Sequence, residues 1–167
     1  SKIQLHNDGG GSIDLEEMFA KIRYFIKGVG CTVILVDPLH TAIKNLSNEN
    51  IEEVMERFIK LCKETKATVI LSTHTRKPDD GSHPHKISEY DVKGSGAIPQ
   101  ACHTNILFSR DKLAEDEYEK NSTRIRVPKM RRTGQTGEAG WTYFNGITGR
   151  LERGHNPIAN GGGDADF

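Results

Sequence analysis

The chain has 167 residues with 23 basic and 23 acidic side chains, a formal net charge of zero. That length suits one domain able to bury roughly two thirds of the surface its unfolded chain would expose, and the balanced charge excludes a global field drawing the molecule onto nucleic acid, so such binding must be local. No apolar run approaches the roughly 20 residues that a membrane helix needs. The N-terminus lacks a basic then apolar leader, and Cys31, Cys62 and Cys102 form no CxxC pair; a reducing, cytoplasmic setting without membrane or disulfide framework is the expectation.

Lys2 to Leu5 alternate weakly and predict a short strand, followed by a glycine-rich turn at Asn7 to Gly11. Leu15, Met18, Phe19, Ile22 and Ile26 recur at helical spacing, with Asp14 and Glu17 placed for a capping box and Gly28 and Gly30 as stops. This helix feeds Val33-Ile34-Leu35-Val36, an apolar strand that delivers Asp37 at its end. The stripe Ile51, Val54, Met55, Phe58, Ile59 and Cys62 predicts a second helix, with Ser47 or Asn48 as N-cap, and it leads into a buried strand at Thr68-Val69-Ile70-Leu71. Two β-α-β units in sequence imply parallel strands, right-handed crossovers and helices on the sheet faces.

After His74 the pattern changes. Residues 75–96 hold Pro78, Gly81, Pro84, Gly94 and Gly96 with no apolar period, and so long a loop in a compact domain is usually functional or mobile. Strands are expected at Asn105 to Ser109, Thr123 to Met130 and Trp141 to Phe144, the last joined to Arg150-Leu151-Glu152 through a hairpin loop at Asn145 to Gly149. Pro128 removes a ladder donor, so its strand should be an edge or be bulged there. From Gly154 the composition turns glycine-rich and polar, a disordered tail ending Asp164-Ala165-Asp166-Phe167. The division is an α/β domain over residues 1–153 and a flexible acidic tail over 154–167.

Asp37 stands at the carboxyl end of its strand, where open α/β sheets bind ligands, and reads as a magnesium-side carboxylate of a nucleotide-hydrolysing sheet. An aspartate there can equally cap the next helix. The phosphate loop that should precede it, Gly, four residues, Gly, Lys, then Ser or Thr, has no match between Ser1 and Asp37. His74 also lies just past a parallel strand, so both polar side chains emerge on one sheet edge; one such histidine is often structural, but two such residues on consecutive strands weigh more.

In the loop, Arg76, Lys77, Lys86 and Lys93, with His83 and His85 between them, can track a phosphate backbone, against which stand Asp79, Asp80, Glu89 and Asp91. A metal site from His83, His85, Cys102 and His103 matches no common zinc spacing. Gly94-Ser95-Gly96 suits either backbone N–H groups offered to a phosphate or a tight turn. Charge is segregated further on: Glu115, Asp116, Glu117 and Glu119 crowd one loop, and Arg124, Arg126, Lys129, Arg131 and Arg132 follow, which reads bluntly as a solvated strand face. Lys129 and Arg131 alternate, so both project from one face, where cations can stabilise charge on a transferred phosphoryl group.

Four segments taken in order, Gly30-Cys31-Thr32-Val33-Ile34-Leu35-Val36-Asp37, Val69-Ile70-Leu71-Ser72-Thr73-His74, Lys93-Gly94-Ser95-Gly96-Ala97-Ile98 and Lys129-Met130-Arg131-Arg132-Thr133-Gly134-Gln135-Thr136-Gly137, resemble the C-terminal helicase domain of the phage primase-helicase and Twinkle family. These are ring-shaped replicative DNA helicases, and the likeness runs from about Lys2 to Glu152. The resemblance implies an α/β fold: the C-terminal portion of a RecA-like P-loop NTPase core, with a parallel central sheet flanked by helices and a C-terminal antiparallel hairpin. It implies that Asp37 is the Walker B carboxylate holding Mg2+ through water, and that His74 senses the γ-phosphate of ATP or another NTP. Arg76, Lys77, Lys86 and Lys93 become contacts to single-stranded DNA; Lys129 and Arg131 become the pair acting on a neighbour's nucleotide in a homo-hexameric ring, with Arg131 the arginine finger. The tail implies docking of a DNA polymerase.

The departures are specific. The phosphate loop, its lysine and the water-activating glutamate are absent, since in the family they lie upstream of the matched segment. Lys93 stands where arginine is usual before Gly-Ser-Gly, losing a planar fork. The isolated chain is therefore expected to be inactive. Two rival readings are a RecA-type recombination ATPase, sharing Asp37 but forming filaments, and a non-catalytic module binding nucleic acid or polymerase through loop and tail.

Overall fold

The computed structural model describes residues 11–43, 45–47, 50–75, 84–92 and 96–158. Two compact units emerge, Ser1–Thr75 with Val92–Ala101, and Arg76–Asp91 with Cys102–Phe167. The strand expected at Lys2 to Leu5 and residues 159–167 of the expected tail lie outside the described residues; the start of that tail is instead structured, Gly154 ending a strand and His155 stacking on Tyr118 with its amide donating to the Tyr118 hydroxyl at 2.9 Å. Among the described residues no helix is long and apolar enough to cross a membrane.

In the first unit, α1 (Leu15–Tyr24) begins at Asp14, whose carboxylate accepts from the Glu16 amide at 2.8 Å rather than closing the expected box with Glu17. The helix runs on through a π-helical turn, Phe25–Val29, and stops at Gly30, whose φ of 84° is one that glycine adopts without steric cost. β1 (Val33–Val36) follows, then the short α2 (Leu39–Ala42), α3 (Ile51–Thr65) and β2 (Thr68–Leu71). The N-cap of α3 is Asn50, not Ser47; its carboxamide ties the preceding turn instead, accepting from the Ser47 amide at 2.9 Å and donating to the Asn45 carbonyl at 3.2 Å.

The core of this unit is the seam between α1 and α3: Met18, Phe19 and Ile22 against Ile51, Val54, Met55, Phe58 and Leu61. Leu61 is fully buried, whereas Ile59 and Cys62, expected on the stripe, are partly exposed. Phe19 and Phe58 meet at 4.9 Å between ring centroids. Arg57 lies over the Phe19 ring at 4.4 Å and pairs with Glu16, and Arg23 pairs with Glu64 at 3.0 Å. Both ion pairs join residues 41 apart in sequence, so α1 and α3 run side by side in the same direction.

β1 and β2 pair in parallel, Val33 opposite Thr68 through Val36 opposite Leu71. A parallel pair needs a long crossover, and α3 supplies it. The face carrying Val33, Leu35 and Ile70 is more than half open to solvent at the first two and 50% at the third, unlike parallel sheets in general, which are covered on both sides. A further short helix, α4 (Ala97–Ala101), buries Ile98; like α2, it is too short to show a helical period in the sequence.

The second unit is a four-stranded antiparallel sheet, β3 (Thr104–Ser109), β4 (Ser122–Met130), β5 (Gly137–Asn145) and β6 (Arg150–Gly154), in sequential order. The expected hairpin is its far end: Asn145 Oδ1 accepts from the Ile147 and Thr148 amides and Gly149 takes φ 68°. The acidic stretch read as a loop contains α5 (Glu117–Asn121), with Asp116 as N-cap accepting from the Glu119 amide at 2.8 Å; carboxylates favour that helix end.

β4 is not an edge strand; it lies between β3 and β5. The second expectation for Pro128, a bulge, is what occurs. Lys129 opposes Asn105 and Arg126 opposes Leu107, so Val127 and Pro128 together face the single residue Ile106. On the other side Ile125 opposes Gly140 and Arg126 opposes Glu138, leaving Ala139 extra, and Gly140 absorbs the distortion at φ 125°.

Candidate functional site: a sheet edge and a basic strand face

Asp37 and His74 are brought to one edge. Beyond the paired strands the ladder continues, the Ser72 amide donating to the Val36 carbonyl and the Leu39 amide to the Ser72 carbonyl, each at 2.9 Å. Asp37 is thereby held beside Ser72, with His74 two residues further along the neighbouring chain, and both side chains are exposed. The capping alternative for Asp37 is not realised: α2 starts from Pro38 with no side-chain cap bond. An exposed carboxylate at a strand's carboxyl end offers the oxygen chemistry that magnesium prefers, and magnesium is commonly held by one or two carboxylates together with substrate phosphates. No three His, Cys, Asp or Glu side chains among the described residues form a preformed metal cluster. Asp37 therefore fits a magnesium that arrives with a nucleotide.

The basic strand face belongs to the second unit, and the Pro128 bulge organises it. Residues opposed across an antiparallel ladder share a face, so the pairings of Arg124 with Ser109, Arg126 with Leu107 and Lys129 with Asn105 put Arg124, Arg126 and Lys129 on the same side. Without the extra residue, Lys129 would have alternated to the opposite side from the two arginines. Arg131, one residue past β4, keeps the alternation, its amide donating to the His103 carbonyl at 2.9 Å. Lys129 is half-buried; burial first, and then the Arg131 charge, lower its pKa from the ordinary lysine value, with Cys102 acting in the opposite sense.

The five cations of the run thus do different work, which the sequence did not signal. Arg124 forms a fork on Glu138, at 2.7 and 2.9 Å, and donates through Nη1 to the His85 carbonyl at 3.0 Å. Arg126 donates through Nη2 to the Ile87 carbonyl. These are internal bonds, where a solvated face was the blunt expectation; Arg131 and Arg132 are exposed. His85, earlier weighed as a metal ligand, is 3% exposed, with Nδ1 2.9 Å from Ser109 Oγ and its ring edge-on to Trp141 at 4.9 Å. Lys86 is exposed, between the two carbonyls that the arginines hold. Arg76, Lys77, His83, Lys93, Gly94 and Ser95 lie outside the described residues.

The fold is RecA-like. Its solved likenesses include a structure described as an "ATPase Domain", at a TM-score of 0.68 and 20% identity, covering 86% of this chain and 52% of that one. A second is "The Structure Of A DnaB-Like Replicative Helicase And Its Interactions With Primase", at 0.67 and 20%, covering 84% and 35%. Residues 1–150 match the family described as DnaB-like helicase C terminal domain, and the chain belongs to that family. Among curated relatives, the DNA helicase/primase of Enterobacteria phage T3 is 27% identical over 167 residues, an alignment covering 96% of this chain and 29% of the phage protein. The chain thus spans under a third of that relative's length.

Proposed function

We propose that this chain is the C-terminal part of the motor of a ring-shaped replicative DNA helicase, which hydrolyses ATP or another NTP with Mg2+ at subunit interfaces and translocates on single-stranded DNA. The observation that carries the reading is the delivery of Asp37 and His74 to the same carboxyl edge by two adjacent parallel strands, in a chain of the DnaB-like family. In this reading residues 1–153 are a partial RecA-like motor domain. The open face at Val33, Leu35 and Ile70 supports it, because a parallel sheet normally packs under further chain on both sides.

Asp37 would hold the magnesium, which when bound would supply charge stabilisation on the phosphates. His74 faces the terminal phosphate from the neighbouring strand. Lys129 and Arg131 serve the nucleotide of an adjacent subunit, where fixed cations stabilise charge that builds on the transferred phosphoryl group. Lys86, with Arg76, Lys77 and Lys93, contacts the DNA backbone. The ring is a homo-hexamer.

The test is single-turnover ATP hydrolysis by the intact protein, with and without single-stranded DNA, while Arg131→Ala subunits are mixed in. A trans finger in a closed ring predicts DNA-stimulated hydrolysis that falls more steeply than the fraction of substituted subunits. A loss strictly proportional to that fraction would remove the trans role, a helical filament in place of a ring would favour the recombination ATPase, and absence of hydrolysis would leave a binding module.

A further inference from the structure

The bulge at Val127–Pro128 has brought two arginines and two candidate catalytic cations to one face of one strand. The arginines are not directed at solvent. Each donates to a main-chain carbonyl of the segment lying over the sheet, Arg124 to His85 and Arg126 to Ile87, and Lys86 is the residue between. The segment is fixed at the same place by its own side chain: His85 is bonded to Ser109 on β3 and rests on Trp141 of β5. Arg124 is itself steered by Glu138, which takes its Nε and Nη2 while leaving Nη1 for the carbonyl. The Nε of Arg126 is buried with no hydrogen-bond partner among the described residues.

We propose that Arg124 and Arg126 are positioning residues that lock the Lys86 main chain onto β4, so that DNA bound at Lys86 in one subunit is felt by Lys129 on that strand and Arg131 just beyond its end at the next subunit's nucleotide. The inference rests on the function proposed above and adds the path by which DNA stimulates hydrolysis. It has a mechanical basis: β4 lies between two strands, and Lys129 and Arg131 follow Arg126 by three and five residues. A shift of the Lys86 segment cannot leave the arginines in place without breaking their bonds to the His85 and Ile87 carbonyls. Guanidinium groups suit this task because their donors form a rigid fork, which a lysine ammonium does not reproduce.

The experiment is a double-mutant cycle in the intact protein with Arg126→Ala, Lys86→Ala and both, reading hydrolysis with and without single-stranded DNA, DNA affinity, and ring assembly. Arg126→Ala is expected to lower DNA-stimulated hydrolysis about tenfold, within the range for coupled sites, with the DNA-independent rate and assembly within about twofold, the usual result away from the chemistry. Lys86→Ala is expected to cost little more once Arg126 is gone, the non-additivity of residues on one path. Arg124→Lys, which keeps the charge but cannot hold Glu138 and the His85 carbonyl together, should show the same defect even if the alanine variant folds poorly. Additive losses, equal falls in the two rates, or full activity of Arg124→Lys would overturn the proposal. A parent ring that hydrolyses ATP with no response to DNA would overturn the proposed function and this path together; a parent that responds while Arg126→Ala behaves like wild type would overturn the path alone.

Discussion

Lys129 sits where two opposing demands meet. Its half-buried position disfavours the charged form, and Arg131 on the same face disfavours it further, while Cys102 acts in the opposite direction. A cation held under such pressure gains most from an anion that arrives beside it, which suits a group meant to meet phosphate. Removing Arg131 takes away the second cause and leaves the first. Arg131→Ala should therefore raise the Lys129 pKa towards the free lysine value of about 10.4 without reaching it. Titration of the Lys129 side chain by NMR with labelled lysine reads this directly; an unchanged or lower midpoint would refute the shared face inferred from the ladder. The arginines show the same principle in another form. Arg124 and Arg126 are indistinguishable from their neighbours in sequence, yet their nitrogens end on main-chain carbonyls.

At the scale of elements, the two sheets differ in what covers them. The parallel pair β1 and β2 has α3 packed against it, and α3 is joined in turn to α1 through Phe19 and Phe58. Its other face shows Val33, Leu35 and Ile70. That asymmetry leads to a contrast between two molecules. Leu35→Glu or Ile70→Glu should leave the thermal midpoint of the 167-residue chain nearly unchanged and improve its solubility, as charging an exposed apolar patch does. In the intact protein the same change should destabilise the motor by several kcal/mol, because there the charge would be buried without a partner. Equal, small effects in both would show that nothing packs on this face. The bulged strand β4 carries the other element-scale lesson. One additional residue between Arg126 and Lys129 reverses which side every later side chain faces.

For the whole molecule, the chain matches the DnaB-like family over residues 1–150 while spanning under a third of its phage relative, and the function proposed for it is that of an assembly. The mixed-subunit experiment belongs at this scale, because only a closed ring makes one altered subunit harm its neighbour. So does the acidic tail. Asp164-Ala165-Asp166-Phe167 combines two acids with an aromatic ring, the feature behind the proposal that this segment docks a DNA polymerase. Deleting residues 159–167, which leaves β6 and the His155 contact with Tyr118 in place, should abolish capture of the replicative polymerase in a pull-down and leave DNA-stimulated hydrolysis intact. Unchanged capture would sink the docking idea.

Periodicity and end signals in the sequence were enough for the long elements. The stripe from Ile51 to Phe58, the apolar runs before Asp37 and His74, and the Asn145 to Gly149 turn each encode their structure locally, because a helix face, a strand and a tight turn impose their own residue patterns; the burial expected of Thr68–Leu71 does not occur, none of its four residues being buried. Placing Asp37 and His74 on one edge followed from the same logic, since consecutive parallel strands present their ends together. What the sequence left undecided depended on partners distant in the chain. Pro128 was consistent with an edge or a bulge until β3 and β5 were seen on either side of its strand. Leu61 is buried where Ile59 is partly exposed, because which side of α3 is covered depends on the elements packed on it and not on its own spacing. His85 changed from a possible metal ligand to a packed core residue through Ser109 and Trp141, 24 and 56 positions away in sequence. The basic run was divided into tethers and exposed cations by a single inserted residue and by two carbonyls about 40 positions upstream. Local pattern is set by side-chain spacing, whereas which polar group meets which partner is set by where the folded backbone brings them.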